Sequence, residues 1–281
     1  MKRKISSGYI FILPAVIWFI VFNAYPIFRS LQLSFYDAGV MHAEFIGFQN
    51  FVTVFTSERI MKGFVNSIKF TLVCAPILTF LPLMIAVLGF KMKSKLQVGI
   101  RFAFYLPSLT AGVIISIVWA WLLRPAGLIN IITGTDIAWL GTNPFAFFSI
   151  CLILICGDLG LAIIIYMAAM GSINSDLYDA AKLDGCTPFQ EDRYITLPLI
   201  APTIGFIFFI KIVAVAQIWQ YPYLLTGGGV FYATHTAVLE IYNQAFKFGK
   251  YGLASAIGII FVIMVGVMAF IQKRFFSGGK E

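Results

Sequence analysis

Charge is what this sequence has least of. Only 11% of its 281 residues are Asp, Glu, Lys or Arg, against about a quarter in soluble globular domains, which excludes a water-facing surface of ordinary extent. Histidine occurs twice, at His42 and His235, with no companion carboxylates at ligand spacing. That argues against a metal site and against a membrane enzyme, which would gather His, Asp or Glu at one depth. The four cysteines, Cys74, Cys151, Cys156 and Cys186, contain no Cys-x-x-Cys pair. Three lie in apolar runs, where a thiol behaves as a small hydrophobe, so no disulfide framework is expected. No Gly-x4-Gly-Lys-Ser/Thr stretch occurs, and the run Gly227-Gly228-Gly229 lacks the lysine, so the chain has no loop of that kind to hold ATP. The net charge is +8, yet no basic cluster is interleaved with exposed aromatics, and no nucleic-acid partner is expected.

Hydrophobic residues, by contrast, make up 60% of the chain, and its mean hydropathy is +0.92. Six apolar segments stand out, at about 9–29, 66–90, 98–123, 146–170, 197–221 and 252–272. A helix of roughly 20 apolar residues crosses a ~30 Å hydrocarbon layer, and backbone groups cannot stay unpaired there, so each segment is expected to be helical. The runs are too long and continuous for barrel strands, which alternate with period two. The expectation is an all-α polytopic membrane protein of six transmembrane helices, embedded in lipid. The charged start, Lys2-Arg3-Lys4, precedes an apolar run with no small-residue cleavage site after it, so a retained first helix is preferred to a signal peptide.

Lysine and arginine set the orientation. With both termini cytoplasmic, Lys2, Arg3, Lys4, Lys91, Lys93, Lys95, Arg101, Lys182, Arg193, Lys273, Arg274 and Lys280 lie inside, and Arg29, Arg59, Lys62, Arg124, Lys247 and Lys250 outside. The division expected is a cytoplasmic N-terminus at 1–8, a transmembrane domain at 9–272 with a cytoplasmic loop at about 171–196, and a cytoplasmic tail at 273–281. Pro14, Pro26, Pro76, Pro82 and Pro107 fall within spans. They suit a protein whose halves rock, although membrane helices tolerate proline in general.

The loop carries local signals absent elsewhere. Ser175 is positioned to cap a helix, with Asp176 and Asp179 near its positive end. Helix formers continue to Asp184, and Gly185 offers a left-handed stop. Thr187, Pro188 and Gln190 then form a capping box with proline in first position. Two short helices meeting at a sharp angle are expected. Ala180 and Ala181 allow close approach by another protein, Leu177, Tyr178 and Leu183 offer apolar contact, and Asp179 or Asp184 a charge for an arginine. A plain surface hairpin fits the same residues.

The stretch Asp179-Ala180-Ala181, then Asp184-Gly185 and Ile195-Thr196-Leu197-Pro198, resembles the EAA loop of ABC importer permeases. Asn23-Ala24-Tyr25-Pro26, Phe45-Ile46-Gly47-Phe48-Gln49-Asn50-Phe51, Phe104-Tyr105-Leu106-Pro107, Thr226-Gly227-Gly228-Gly229 and Tyr251-Gly252-Leu253-Ala254-Ser255-Ala256 resemble further stations of the same family. They keep its order over some 250 residues. The resemblance implies a type I importer permease of the carbohydrate-uptake branch, in a bacterial or archaeal cytoplasmic membrane. It implies a coupling helix made by Leu177, Tyr178, Asp179, Ala180, Ala181, Leu183, Asp184 and Gly185. The implied partners are a second homologous permease, an ATPase dimer, an extracytoplasmic solute-binding protein and a sugar. No cofactor belongs to this chain, because ATP and Mg would be held by the ATPase subunits. Two departures stand out: Asp179 replaces the family's glutamate, and Glu191 and Asp192 stand where basic residues are usual.

Asp158 and Lys211 lie inside spans four and five. Charge at bilayer depth is costly and is normally paired or turned to a cavity. Their depths differ by only about 5–10 Å at 1.5 Å per residue. Two arrangements fit: a compensating pair bordering the translocation pathway, or two residues each facing the partner subunit. The end of span five adds Gln217, Trp219, Gln220 and Tyr221, aromatic faces and amides suited to a sugar; Trp and Tyr also form interfacial belts. A glycerol-phosphate or polyol permease is the alternative cargo class, although a phosphate site wants arginines in the cavity. A stand-alone secondary carrier would need no such cytoplasmic hairpin.

Overall fold

The computed structural model describes residues 7–39 and 42–277. Lys2, Arg3, Lys4 and Lys280, used above for orientation, lie outside the described residues. Helix α1 (Ser7–Phe19) passes through a widened turn at Ile20–Ala24 into α2 (Tyr25–Leu33). Pro26 has no N–H for the preceding turn, and the wider turn takes up the mismatch. Two short strands, β1 (Tyr36–Ala38) and β2 (Ala43–Phe45), then pair antiparallel with Tyr36 opposite Phe45. They are a small exception to the all-α expectation. Helix α3 (Gln49–Thr56) leads to α4 (Glu58–Phe90), the longest helix at 33 residues.

The third and fourth apolar segments are each a bent pair of helices rather than one straight helix. Helix α5 (Ser94–Tyr105) and a tight turn at Pro107–Leu109 meet α6 (Gly112–Leu122) at a bend of 93°. After α7 (Leu128–Thr133), α8 (Phe145–Gly157) and α9 (Gly160–Gly171) meet at 45°. The sequence supplies the weak points at which packing sets these bends. Pro107 removes one N–H from its helix, and glycine flanks the second break at Gly157 and Gly160, where helix propensity is lowest. A helical hairpin follows as α10 (Ser175–Leu183) and α11 (Pro188–Glu191). A widened turn at Asp192–Thr196 then runs into α12 (Leu197–Ala216). The chain closes with α13 (Ala237–Tyr242) and α14 (Tyr251–Ser277). Among the described residues, four helical stretches are long and apolar enough to cross a membrane unbroken, and up to six when each bent pair counts as one span.

Two compact units are distinguished. One comprises residues 7–39 and 42–61 with 240–262. Within it Asn50 Nδ2 donates to the carbonyls of Ser34 (2.9 Å) and Tyr36 (2.8 Å), fixing the exit from α2. A Cβ at Gly252 would lie 1.9 Å from the Tyr36 carbonyl, so only glycine allows this approach. Arg59 Nε donates to the buried Glu240 Oε2 at 2.8 Å, and Gln244 Nε2 donates to its other oxygen at 2.6 Å.

The other unit comprises 62–239 with 263–277. Its core is built from Phe70, Cys74 and Leu78 of α4, Ile150 of α8, Ile163, Tyr166 and Met167 of α9, and Ile200 and Ile207 of α12. Tyr166 Oη donates to the Thr79 carbonyl at 3.2 Å, meeting the need of a buried phenol. The outer faces of these helices carry Leu72, Phe80, Met84, Leu88 and Leu161, all exposed. Helices apolar all round belong in lipid or a large core.

Candidate functional site

Both groups of candidate residues fall in the unit formed by 62–239 and 263–277. The first group gathers where spans are broken. Asp158 is the cap residue ending α8, and α9 restarts two residues later at Gly160. A Cβ at Gly160 would stand 2.4 Å from both the Phe104 carbonyl oxygen and Tyr105 Cα. Glycine therefore lets the start of α9 lie directly against the end of α5. On the far side of the Pro107 turn, Gly112 opens α6, and a Cβ there would be 2.9 Å from Gln220 Oε1 and 3.5 Å from Tyr221 Oη. Tyr221 Oη also lies 3.8 Å from the Cβ position of Gly157. Helix α12 stops at Ala216, and the freed Ile218 carbonyl accepts from Thr236 Oγ1 at 2.7 Å. The interruptions in spans three and four and the end of span five thus meet. Irregular backbone at bilayer depth is tolerated where protein encloses it or it lines a cavity.

Lys211 reaches into this junction. Its Nζ lies 2.8 Å from Asp158 Oδ2 and donates to the Asp158 carbonyl at 3.1 Å. The ammonium so meets a carboxylate and a carbonyl at the negative end of α8, a favourable place for a cation. Of the two arrangements that depth alone left open, this is the compensating pair. The two side chains differ in surroundings: Lys211 is 6% exposed and Asp158 42%. Among the remaining residues expected here, Gln217 caps the end of α12 and is exposed, while the Trp219 ring packs 6.1 Å from Tyr223. The glycines at 112, 157 and 160 were not singled out from sequence, though glycines inside apolar runs were the signal available.

The second group is the hairpin. Its first cap is Asn174, whose Oδ1 accepts from Asp176 N at 3.1 Å, one residue before the expected Ser175. An extended residue is needed at the cap, and Asn174 has that backbone whereas Ser175 is already helical. Gly185 adopts φ +77°, with Gly185 N bonded to Lys182 O and Cys186 N to Ala181 O, the two bonds of a Schellman stop. The capping box forms as expected: Gln190 N donates to Thr187 Oγ1, and Thr187 N to Gln190 Oε1.

The eight hairpin residues divide by exposure. Leu177, Asp179, Ala180, Leu183, Asp184 and Gly185 are exposed, Leu183 at 90%. Ala181 is buried, and Tyr178 Oη bonds Thr196 Oγ1 at 3.0 Å. Tyr178 thus ties the hairpin to the turn that precedes α12, and the exposed residues form the hairpin's outer face. Asp179 meets Lys182 at 3.3 Å across one exposed turn. Asp192, the acidic departure noted above, receives Lys91 Nζ at 2.5 Å, and the same ammonium donates to the Pro188 carbonyl at 2.9 Å. Lys91 follows the end of α4, and sequence reasoning had used it only as an orientation charge.

Comparison with known proteins adds the following. Residues 51–278 match the model of the family described as the binding-protein-dependent transport system inner membrane component. The chain is 30% identical over 276 residues to a lactose transport system permease protein of Rhizobium radiobacter, covering 95% of this chain and 92% of that one. It is 28% identical over 272 residues to a trehalose/maltose transport system permease protein of Thermococcus litoralis, covering 94% and 91%. Among solved structures it is similar to a chain of a bacterial ABC transporter involved in import of the acidic polysaccharide alginate. There the TM-score is 0.87 and the identity 25%, over 97% of this chain and 96% of that one.

Proposed function

The chain belongs to the family of binding-protein-dependent transport system inner membrane components, and on that premise we propose how its two groups of residues serve sugar import. It is a multi-pass membrane subunit of a sugar ABC importer, a non-enzymatic permease. One observation carries the cargo class: a match over 95% of the chain to a permease of lactose transport. In this reading the chain forms half of a translocation pathway with a second homologous permease. An extracytoplasmic binding protein delivers the sugar, and two ATPase copies, which hold ATP and Mg, supply the energy.

The exposed face of the hairpin, Leu177, Asp179, Ala180, Leu183, Asp184 and Gly185, is the ATPase contact, and Tyr178 and Ala181 hold that face on the membrane body. The excess of basic residues on the same side supports a cytoplasmic position for it and for both termini. The junction of broken spans at Asp158, Lys211, Gln220 and Tyr221 borders the pathway, and Gln217 and Trp219 stand at its outer end. Lys211 is already engaged by Asp158, which weighs against a phosphate-bearing cargo.

The deciding experiment is purification of the tagged chain from membranes, followed by uptake of radiolabelled disaccharide in proteoliposomes. A second permease, an ATPase and a binding-protein requirement are expected. Uptake by the chain alone, without ATP, would overturn the reading.

A further inference from the structure

We infer that α4 is a relay joining the extracytoplasmic loop at 226–237 to the cytoplasmic hairpin at 175–191, with Asn66 and Lys91 as the positioning residues at its two ends. The inference rests on the importer reading for what lies on each side of the membrane; the contacts themselves are geometric. All of them fall within the unit formed by 62–239 and 263–277.

At the outer end, Asn66 Nδ2 donates to the carbonyls of Tyr232 at 2.8 Å and His235 at 2.9 Å. Ser67 Oγ accepts from Ala237 N at 3.0 Å. Gly63, one turn earlier, admits the loop backbone so closely that a Cβ there would be 3.3 Å from Thr236 and Ala237 main-chain atoms. The loop held this way is internally stiff. Gly227, Gly228 and Gly229 all take positive φ, Thr226 and Thr234 share a hydroxyl bond at 2.7 Å, and Phe231 and Tyr232 sit at φ +52° and +62°. Positive φ at two successive aromatic residues is a strained backbone that persists where its surroundings over-determine it, and the Asn66 amide grips one of the two. The tip carries Phe231, 85% exposed.

At the inner end, Lys91 grips the carbonyl of Pro188, the first residue of α11, and the side chain of Asp192, its C-cap. Gln97 Nε2 holds the terminal carbonyls of Phe90 and Met92 at 2.8 and 3.0 Å. Between the two ends lie 24 residues of helix, about 36 Å at 1.5 Å per residue. Pro76 and Pro82 interrupt its hydrogen bonds. Around them, however, Cys74, Ala75, Leu78 and Ala86 are wholly buried, and Tyr166 holds the Thr79 carbonyl. A helix clamped along its middle and bonded at both ends passes a shift at one end to the other, because packed cores move between discrete arrangements rather than deform smoothly.

The test uses the complete complex in nanodiscs and measures ATP hydrolysis stimulated by the sugar-loaded binding protein. Asn66→Ala and Lys91→Met are each expected to lower the stimulation about five- to tenfold. The double variant should be no worse than the weaker single one. Independent sites more than about 10 Å apart act additively in free energy, so fold-losses that multiply would overturn the relay. Should Asn66→Ala fail to assemble, Ser67→Ala makes the same cycle at the same end. Lys91→Arg, which keeps donors for both the Pro188 carbonyl and Asp192, should retain stimulation that Lys91→Met loses, and failure to do so would remove Lys91 from the relay. A wild-type chain that binds no ATPase refutes the importer reading instead, so the two failures are distinguishable.

Discussion

The Lys211 ammonium sits between the carboxylate and the main-chain carbonyl of a single residue, Asp158, at 2.8 and 3.1 Å. It thereby neutralises a charge and closes the end of α8 at once. The two side chains are unequally wet, and this sets different costs for losing each. Asp158→Asn leaves a buried ammonium facing a neutral amide, and about 3–5 kcal/mol is expected from breaking such a pair. Lys211→Met leaves a carboxylate that is already 42% exposed and can hydrate. Thermal unfolding of the purified complex should show the larger fall for Asp158→Asn, and the double variant should lie above that single one. Equal and additive losses would show that the pair is not a unit.

The junction of broken spans depends on one close backbone approach. Gly160→Ala places a methyl 2.4 Å from the backbone at Phe104 and Tyr105, where no flexible side chain can yield. Overpacking of this kind costs about 1–3 kcal/mol or more, and folded yield from membranes should fall. Gly99→Ala is the matched control in α5: its Cβ meets nothing within 4 Å, and alanine in a helix gains up to about 1 kcal/mol over glycine.

The hairpin separates docking from folding. Leu183→Glu alters a side chain that is 90% exposed, so the melting temperature of the isolated permease should not move while ATPase co-purification is lost. Gly185→Val acts differently. At φ +77° a β-branched residue costs at least about 1–2 kcal/mol, so the hairpin itself should loosen, read as faster amide exchange at Cys186 and Thr187.

In the other unit, Arg59 Nε lies 2.8 Å from a wholly buried Glu240. Arg59→Met withdraws a guanidinium from a buried carboxylate, and a lower melting temperature is expected because burial makes the loss of a charged partner costly. Glu240→Gln, which keeps the shape and needs no counter-charge, should lose less. Parallel melts of the two variants test the ordering.

Much of this was legible in the chain itself, because its causes are local or compositional. A sequence with 11% charge and runs of twenty apolar residues has one available solvent, and Thr187-Pro188-Phe189-Gln190 writes out its own capping box within four residues. The depth of Asp158 and Lys211 in their spans made a pairing one of two arrangements open to them, because charge in hydrocarbon is costly, and the packing of spans four and five across 53 positions decided for it. Tertiary structure alone decided the rest. Whether Tyr178 and Ala181 faced a partner or the body of their own protein depended on where α12 begins. The bend between α5 and α6 needed more than Pro107, because a proline in a span is compatible with a mild kink or a sharp break, and packing selects between them. Asn66 and Lys91 looked like an ordinary polar residue and an ordinary loop charge. Their partners lie 166 and 101 residues away, and pairings at that separation are set by how helices pack, which no local pattern records.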